Sequence, residues 1–170
     1  MTTTNTSSSV PFSISHVFSA PRAKVFAVHT TAEHLQKWLS PEGCDTTYAK
    51  MDFRVGGSYH YCNEVPNGLQ MWGKQTFRDI LPNEKLTYLQ TFSDKDGGIG
   101  KHPMAPTWPA EILATITFED AGAGHTKVTT TWQPLNTDEA GNAAFDAARG
   151  SMTQGFGSVF VKLDGYLQSL

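Results

Sequence analysis

Apolar and polar residues alternate in one segment after another between residues 44 and 132, and this period of two limits the fold more than any other feature of the chain. Turns that contain Gly, Pro or Asn separate the segments, as in antiparallel strands joined in a meander. Within "QMWGKQTFRDI" the charged Lys74 and Arg78 share one side, so the side that carries Phe77 is predicted to face the core. The sequence therefore predicts a sheet with one apolar face and one solvated face.

The other segments of this region divide in the same way. The alternation predicts that the following side chains face inward: Leu86, Tyr88, Gln90, Phe92, Ile112, Ala114, Ile116, Phe118, Val128, Thr130 and Trp132. A separate first strand is predicted at "FSISHVFS", which begins at Phe12 and stops before Pro21. Two short helices are predicted next, the first starting at Pro21 and the second capped by Thr31, with Leu35 and Trp38 turned inward.

A long helix is predicted to close the sequence, starting near Asn142. Apolar residues recur along it at steps of three and four: Phe145, Ala148, Met152, Phe156, Val159, Leu163, Tyr166 and Leu170. A stripe of this kind has to cover an apolar surface. The apolar face of the sheet is the surface that the sequence supplies, so helix and sheet are predicted to cover each other.

Four glycines interrupt the good helix formers of this last segment: Gly150, Gly155, Gly157 and Gly165. Each costs about 1 kcal/mol of helix propensity relative to alanine. At Gly155 and Gly157 the missing side chains either leave room for a ligand beneath the helix or allow close contact between helix and sheet. A break of the helix near Gly155 is a third explanation, and the sequence leaves all three open.

Composition argues against several classes of function. With 13 Lys and Arg against 16 Asp and Glu, the net charge of −3 does not suit nucleic-acid binding. The 170 residues suffice for one domain, predicted over 11–170 behind a flexible Thr/Ser-rich tail over 1–10. That tail lacks the parts of a secretory signal, and no apolar run reaches membrane-spanning length. We expect a cytoplasmic protein without a membrane span, with Cys44 and Cys62 as reduced thiols.

Motifs for metal, phosphate or nucleophilic chemistry are missing from the sequence. His29 and His34 are five residues apart, which does not align two ligands on a helix. His60 and Cys62 are expected on the solvated face without a third ligand. We therefore predict no metal site, no catalytic residue and no cofactor. The polar residues expected on the inner face or at its rim are Gln75, Gln90, Thr130, Asp79, Glu111 and Asp146, each able to bond a neighbour, water or a ligand.

A long Gly- and Pro-rich loop over residues 93–109 carries Met104 and Trp108. Loops of this length in compact domains are often lids over a binding site. A surface excursion without a role is the alternative.

Four phrases follow one another in a recognisable order. "FSISHVFSAPRAKVFAVHTTAEHLQKWLSP" contains a strand, "AP", a helix with "VF", "EHL" and a Trp before a proline. "MDFRVGGSYHY" has the form D-x-R-x-GG before an aromatic strand, and "GKQTFRDILPNEKLTYLQTF" and "ITFEDAGAGHTKVTTTW" read as two hairpins. Together, over residues 12–170, they resemble the Hsp90-ATPase-activator-homologue (AHSA1-like) family of START-like, or SRPBCC, proteins.

The resemblance implies an α+β helix-grip fold, also called START-like or Bet v 1-like. In it a curved antiparallel sheet, here of about six to seven strands, wraps around a long C-terminal helix and leaves an apolar cavity. Two short helices follow the first strand. The chain departs from the family at Leu39, where a second Trp is common, at Val55, where Pro is common, and at Phe156, where Trp usually follows the glycine. The aromatic lining, and the ligand with it, is expected to differ accordingly.

From the two matched apolar faces and the family likeness we predict binding of a small hydrophobic ligand, aromatic or lipid-like, without covalent chemistry. The residues predicted to contact it are Trp38, Phe53, Tyr59, Tyr61, Phe77, Tyr88, Gln90, Phe92, Trp108, Ile112, Trp132, Met152, Phe156 and Phe160. The family suggests two alternatives, a co-chaperone-like module for an Hsp90-type ATPase and a cyclase or hydrolase with an acid or base in the pocket. Homodimer formation is also open.

Overall fold

The structure, a computed structural model, describes residues 9–103 and 105–170 and contains one seven-stranded antiparallel sheet. The strands are β1 (Phe12–Phe18), β2 (Asp45–Met51), β3 (Ser58–Glu64), β4 (Gln70–Leu81), β5 (Lys85–Phe92), β6 (Glu111–Asp120) and β7 (Thr126–Leu135), and the helices are α1 (Arg22–His29), α2 (Ala32–Trp38), α3 (Glu139–Ala147) and α4 (Arg149–Ser169). The spatial order β1-β7-β6-β5-β4-β3-β2 makes β2 to β7 a meander, with β1 paired to β7. The predicted α+β helix-grip architecture is confirmed.

The predicted tail over 1–10 lies mostly outside the described residues, which begin at Ser9. Ser9 is buried, its hydroxyl donates to the Asn142 backbone and side-chain oxygens at 3.3 and 3.2 Å, and its carbonyl accepts from Gln133. The tertiary contacts of the described chain therefore start at Ser9. The prediction for Met104 in the long loop also falls outside the described residues.

The strands divide as the alternation predicts. One set of side chains faces the helices and is called the inner face. Its members are Phe12, Ile14, His16 and Phe18 of β1, Thr46, Ala49 and Met51 of β2, Tyr59, Tyr61 and Asn63 of β3, Met71, Gly73, Gln75, Phe77 and Ile80 of β4, Leu86, Tyr88, Gln90 and Phe92 of β5, Ile112, Ala114, Ile116, Phe118 and Asp120 of β6, and Thr126, Val128, Thr130, Trp132 and Pro134 of β7. A bulge after Phe77 shifts the register, so Asp79 turns outward and Ile80 inward.

Cys62 corrects one expectation. It faces the outer side of β3 as expected, yet it is fully buried. Tyr48 and Trp72 are its partners in register on the two neighbouring strands, and their ring centroids are 5.3 Å apart. The His60 ring lies 5.1 Å from Trp72. Cys62 is shielded from water because aromatic side chains of adjacent strands surround it. The alternation along a single strand does not reveal such neighbours. Cys44 is likewise a buried free thiol.

Two short helices follow β1, as predicted. Pro21 precedes α1 in an extended conformation and does not take the first helical position, so that detail was wrong. Thr31 does occupy the N-cap position of α2, but its side chain makes no capping hydrogen bond. Leu35 and Trp38 are buried as expected.

The terminal helix is divided in two, so the prediction of one helix starting near Asn142 was wrong. α3 starts earlier because Asp138 caps it, accepting a hydrogen bond from the Gly141 backbone at 2.8 Å. The division lies at Ala148, where φ is −88° and ψ is −2°. No proline marks this position, so the stripe of apolar residues runs through it without a visible interruption in the sequence.

The apolar stripe of α4 faces inward over Met152, Phe160, Leu163 and Leu167. Leu170, which the sequence places on the stripe, is 52 % exposed, so that prediction was wrong because the helix ends at Ser169 and Leu167 forms the last inward turn. The backbone of α4 approaches β1, α2 and α3 most closely.

The glycines of α4 do not mark tight packing. A Cβ added at any of the four positions would meet no atom within 4 Å, and Gly155 is exposed. The helix also continues through Gly155 without a break. Close contact with the sheet and a helix break are therefore both wrong as explanations. Room for a ligand stays open only at Gly157, which is partly covered.

The exposed glycines generate a stability prediction. Gly155→Ala and Gly165→Ala should each raise the free energy of unfolding by about 0.5–1 kcal/mol, because alanine loses less backbone entropy in a helix and meets no obstacle here. Urea unfolding followed by circular dichroism measures this. Gly124→Ala is the matched control: its Cβ would also have open space, but its φ of +71° strains alanine, so the variant should be less stable than the parent.

His29 at the end of α1 is a buried base. Its Nδ1 lies 2.7 Å from the Val25 carbonyl and donates to it, and its ring packs 4.7 Å from Trp38 and 5.1 Å from Phe118. Burial lowers the pKa of His29 to about 4, against the smaller raising effect of the bond to Val25. The imidazole is therefore neutral in the folded protein at physiological pH.

This histidine predicts a loss of stability in acid. Between pH 6.5 and 4 the unfolded chain binds a proton at His29 and the folded chain does not, so the stability falls as the pH falls, by roughly 3 kcal/mol over the window. Urea unfolding at a series of pH values measures the slope. His29→Gln keeps a donor for Val25 but does not titrate, so its slope should be shallower, and an identical slope would contradict the assignment.

Candidate functional site

The two ends of the inner face differ in how far water reaches them. Near α1 and α2, the side chains of Phe18, Leu86, Phe118 and Val128 are at most 2 % exposed. Toward the other end, side chains that lie between sheet and helix are only partly buried. We call these residues the open end: Tyr61, Gln90, Phe92, Trp132 and Phe156. The open end is where a molecule could contact the inner face, and it is the candidate site.

The sealed end is closed by the two short helices. Val25, Val28 and Leu35 fill the space beside the sheet, all at most 2 % exposed. Trp38 is equally buried, and its Nε1 donates to the Val28 carbonyl at 3.0 Å. Trp38, a predicted ligand contact, is thus a core residue with its polar atom already satisfied.

A polar contact crosses three strands at the open end. Gln90 of β5 donates from Nε2 to the Tyr61 hydroxyl of β3 at 2.9 Å. The residue between them, on β4 and in register with Tyr61, is Gly73. A Cβ added at Gly73 would lie 2.5 Å from the phenol of Tyr61. Because Gly73 has no side chain, the Tyr61 ring can lie across β4 and reach Gln90.

Gly73 was not among the predicted site residues. Its signal was available, since an isolated glycine inside a strand pattern marks a close approach of another group. The sequence does not say which group approaches, because Tyr61 comes from the adjacent strand.

Three tyrosines of the inner face remain neutral phenols. Burial raises the pKa of Tyr61 to about 12, and the bond from Gln90 opposes this weakly. Burial also raises the pKa of Tyr59 and of Tyr88, with a further contribution from Tyr61 nearby. The rings of Tyr59 and Tyr61 stack with centroids 5.1 Å apart. These groups can exchange hydrogen bonds with a ligand but supply no charge.

Trp132 connects the two halves of the interior. Its ring meets Phe156 edge-on at 5.1 Å, and it packs against both hydrophobic clusters of the core. Its Nε1 is buried and has no hydrogen-bond partner among the described residues. An unpaired buried N–H group costs roughly 1–3 kcal/mol. The indole therefore presents a donor whose acceptor the described chain does not supply.

The long loop lies beside the open end. Phe92 at the end of β5 contacts His102, and their ring centroids are 4.7 Å apart. The His102 ring lies 6.1 Å from the ring of Trp108. Trp108 in turn lies 5.8 Å from Phe145 of α3. The loop is thus tied to the fold by aromatic contacts on both sides. A groove of about 370 Å³ lies between this loop and the start of α3, lined by loop residues and by Trp108, Asn136 and Asp138.

The predicted contact residues fall into three groups. The first group forms the open end: Tyr61, Gln90, Phe92, Trp132 and Phe156. The second group lies around the open end, either in the same register rows or in the adjoining cluster of Phe145: Tyr59, Tyr88, Trp108, Ile112 and Met152. Phe53, Phe77 and Phe160 pack in the larger cluster of the sealed end with Trp38. The structure therefore does not bring all fourteen residues to one surface.

The rim carboxylates that the sequence singled out have partners outside the interior. Asp79 pairs with Lys85 at 3.5 Å, and Asp146 pairs with Arg149 at 2.9 Å. Glu111 accepts from the Asn136 side chain at 3.2 Å. None of these three groups belongs to the inner face.

One acid–base pair does lie at the edge of the interior. His16 of β1 is bonded to Asp164 of α4 at 2.8 Å, with about a third of each side chain exposed. Among residues 9–103 and 105–170, no group of three His, Cys, Asp or Glu side chains is placed to hold a metal ion. Within the same residues, no helix combines the length and the apolar character that crossing a membrane requires.

Solved structures share this fold along nearly the whole chain. A protein from Arthrobacter aurescens, solved by NMR in solution, is 23 % identical, with a TM-score of 0.76. The match covers 95 % of this chain and 88 % of that one. A crystal structure from Mycobacterium smegmatis is 21 % identical, with a TM-score of 0.74 and coverage of 94 % and 91 %. An AHSA1 protein from Silicibacter pomeroyi is 16 % identical, with a TM-score of 0.70 and coverage of 94 % and 98 %. At these identities the likeness establishes the fold alone.

Sequence comparison supplies the family. None of the curated proteins matches this chain significantly. The family model described as "Activator of Hsp90 ATPase homolog 1-like protein" matches residues 19–168, which include every strand after β1 and all four helices but for the last residue of α4. The chain therefore belongs to the activator of Hsp90 ATPase homolog 1-like (AHSA1-like) family.

Proposed function

We propose that the protein binds a small hydrophobic molecule between the open end of the sheet and α4, without covalent chemistry. The observation that carries this proposal is the partial exposure of Tyr61, Phe92, Trp132 and Phe156, four aromatic side chains that lie between a sheet and the helix that covers it. Aromatic side chains bury large areas when packing is complete. Their partial exposure supports a space that an apolar molecule can enter.

The path of α4 supports the same location. The helix backbone lies closest to β1 and α2, and the strands β3 to β5 are not among its close neighbours in the described chain. Phe156 is its only aromatic residue at the open end, and Gly157 beside it presents no side chain. Since α1 approaches β6 and α2 approaches β2, the interior over β3 to β5 belongs to the part of the inner face that no described helix backbone approaches closely.

The enzyme alternative has one observation in its favour, the His16–Asp164 pair. These two residues lie at the edge of the interior, and the one carboxylate among the described inner-face strand residues, Asp120, is paired with Arg22 at the sealed end. His16 is therefore the candidate acid or base that the inner-face strands offer to this alternative. The co-chaperone alternative rests on the description of the family, and nothing in the described residues selects it over ligand binding.

The proposal predicts stabilisation by ligands. A panel of fatty acids, sterols and polycyclic aromatic compounds is tested by thermal shift and native mass spectrometry. A binder present at 100 times its Kd should add about 2.7 kcal/mol to the free energy of unfolding, which raises the Tm by roughly 5–10 °C for a chain of this size. Absence of any binder in the panel and in cell extract would contradict the proposal.

Gly73→Ala locates the site. The added Cβ displaces the Tyr61 phenol, so the bond to Gln90 is lost and the ring moves into the space assigned to the ligand. We expect affinity for a panel binder to fall roughly 10-fold, measured by isothermal titration calorimetry. Gly165→Ala is the matched control on the solvent side of α4 and should bind like the parent. Equal affinity of Gly73→Ala and the parent would place the ligand elsewhere.

A further inference from the structure

Inside the proposed site the inner face is apolar, hydrogen-bonding and uncharged. Its described strand residues include one charged side chain, Asp120, which lies at the sealed end in the row of Phe18 and pairs with Arg22 at 3.2 Å. At the open end they include no Asp, Glu, Lys or Arg. Its tyrosines keep their protons, since burial holds the pKa of Tyr61 near 12. His16, the one histidine among the described inner-face strand residues, lies at the edge of the interior and is bonded to Asp164. Arg149 lies over the Phe145 ring at 5.1 Å, but it is already paired with Asp146 at 2.9 Å. Among the described strand residues of the open end, no side chain therefore offers a charge to a carboxylate, a phosphate or an amine.

An uncompensated charge is costly in such surroundings. A charged group that leaves water for an apolar interior needs an opposite charge or several hydrogen bonds. The open end offers the Tyr61 hydroxyl and the Gln90 amide, and these two are already bonded to each other. A ligand that enters with a carboxylate therefore loses hydration without gaining a partner of opposite charge.

One donor at the open end is not used by the described protein. The Trp132 indole meets Phe156 edge-on at 5.1 Å, and the Trp132 backbone lies between Ala114 of β6 and Phe12 of β1. Its Nε1 is buried without a protein acceptor. Ala114, which lies between Trp132 and Tyr88 in the same register row, is the smallest side chain of that row. An acceptor brought against this part of the sheet meets an indole N–H that no described residue satisfies.

We infer that the ligand is an uncharged aromatic or polycyclic compound with a carbonyl or ether oxygen that accepts a hydrogen bond from Trp132 Nε1. The inference rests on the proposed function and specifies the ligand's chemistry. It excludes fatty-acid carboxylates and plain hydrocarbons as the preferred ligands. The carbonyl oxygen takes the place of the missing acceptor, and the ring system fills the apolar space beside Phe156.

Three probes of nearly equal shape test the inference: 2-acetylnaphthalene, 2-ethylnaphthalene and 2-naphthoate at pH 7. Calorimetric titration of the full chain should show the ketone binding roughly 5- to 10-fold more tightly than the hydrocarbon, as expected for one neutral hydrogen bond. The naphthoate should bind at least about 30-fold more weakly than the ketone, because its charge has no partner. Equal affinities of ketone and hydrocarbon, or tighter binding of the naphthoate, would overturn the inference.

Trp132→Phe assigns the effect to the indole. Phenylalanine keeps the ring and removes the unpaired N–H, so the fold should be retained and the preference for the ketone over the hydrocarbon should disappear. Trp72→Phe is the matched control on the outer face, where Nε1 already bonds Gln70, and should keep the preference. The chain has four Trp, so its NMR spectrum contains four indole N–H signals. The signal that Trp132→Phe removes should be the one that the ketone shifts.

The outcomes separate the two claims. If none of the three probes binds while a compound of the panel does, the inference fails and the proposed function stands. If neither the probes, nor the panel, nor cell extract supplies a binder, both fail. If the ketone and the hydrocarbon bind alike to the parent protein, or if Trp132→Phe retains the preference for the ketone, the site exists but the inference about its acceptor is wrong.

Discussion

The structure depends on how the inner face of one curved sheet is covered. Burial of apolar surface stabilises the fold by about 25 cal/mol per Å², and the four helices share this task unequally. α3 contributes Phe145, which is fully buried beside Phe12 and Ile112. α1 and α2 close one end of the sheet, where Phe18 and Val128 are fully buried. α4 lies over the rest but stays closest to β1 and α2. The partial exposure of Phe156 and Trp132 follows from this geometry, so the less stable end of the core is also the end available to a ligand.

The register of the meander builds the polar part of the site. Tyr61 and Gly73 are direct partners, and so are Gly73 and Phe92, which places one missing side chain between two aromatic ones. The Tyr61 ring uses that space to reach Gln90 two strands away. A slip of one residue between β3 and β4 would turn Gly73 to the outer face and remove the space. The contact therefore depends on strand pairing as much as on the residues themselves.

Local patterns in the sequence were sufficient for the faces of the strands, the two short helices and the overall architecture, because each of these depends on periodicity along one segment. They failed where neighbours from other segments decide the outcome. Cys62 is dry because Tyr48 and Trp72 flank it. For the candidate site, alternation placed Trp132 on the inner face, but the unpaired state of its Nε1 depends on the positions of every surrounding acceptor. Periodicity along one strand cannot supply that information.

Desolvation gives the interior a consistent electrostatic character. The same burial that raises the pKa of Tyr61 to about 12 lowers the pKa of His29 to about 4, so both an acid and a base are driven to their neutral forms across the physiological range. A molecule that enters this interior experiences the same effect. Selectivity in the proposed site would then come from shape and from single hydrogen bonds, and it would change little with pH or salt, in contrast to recognition by charged side chains.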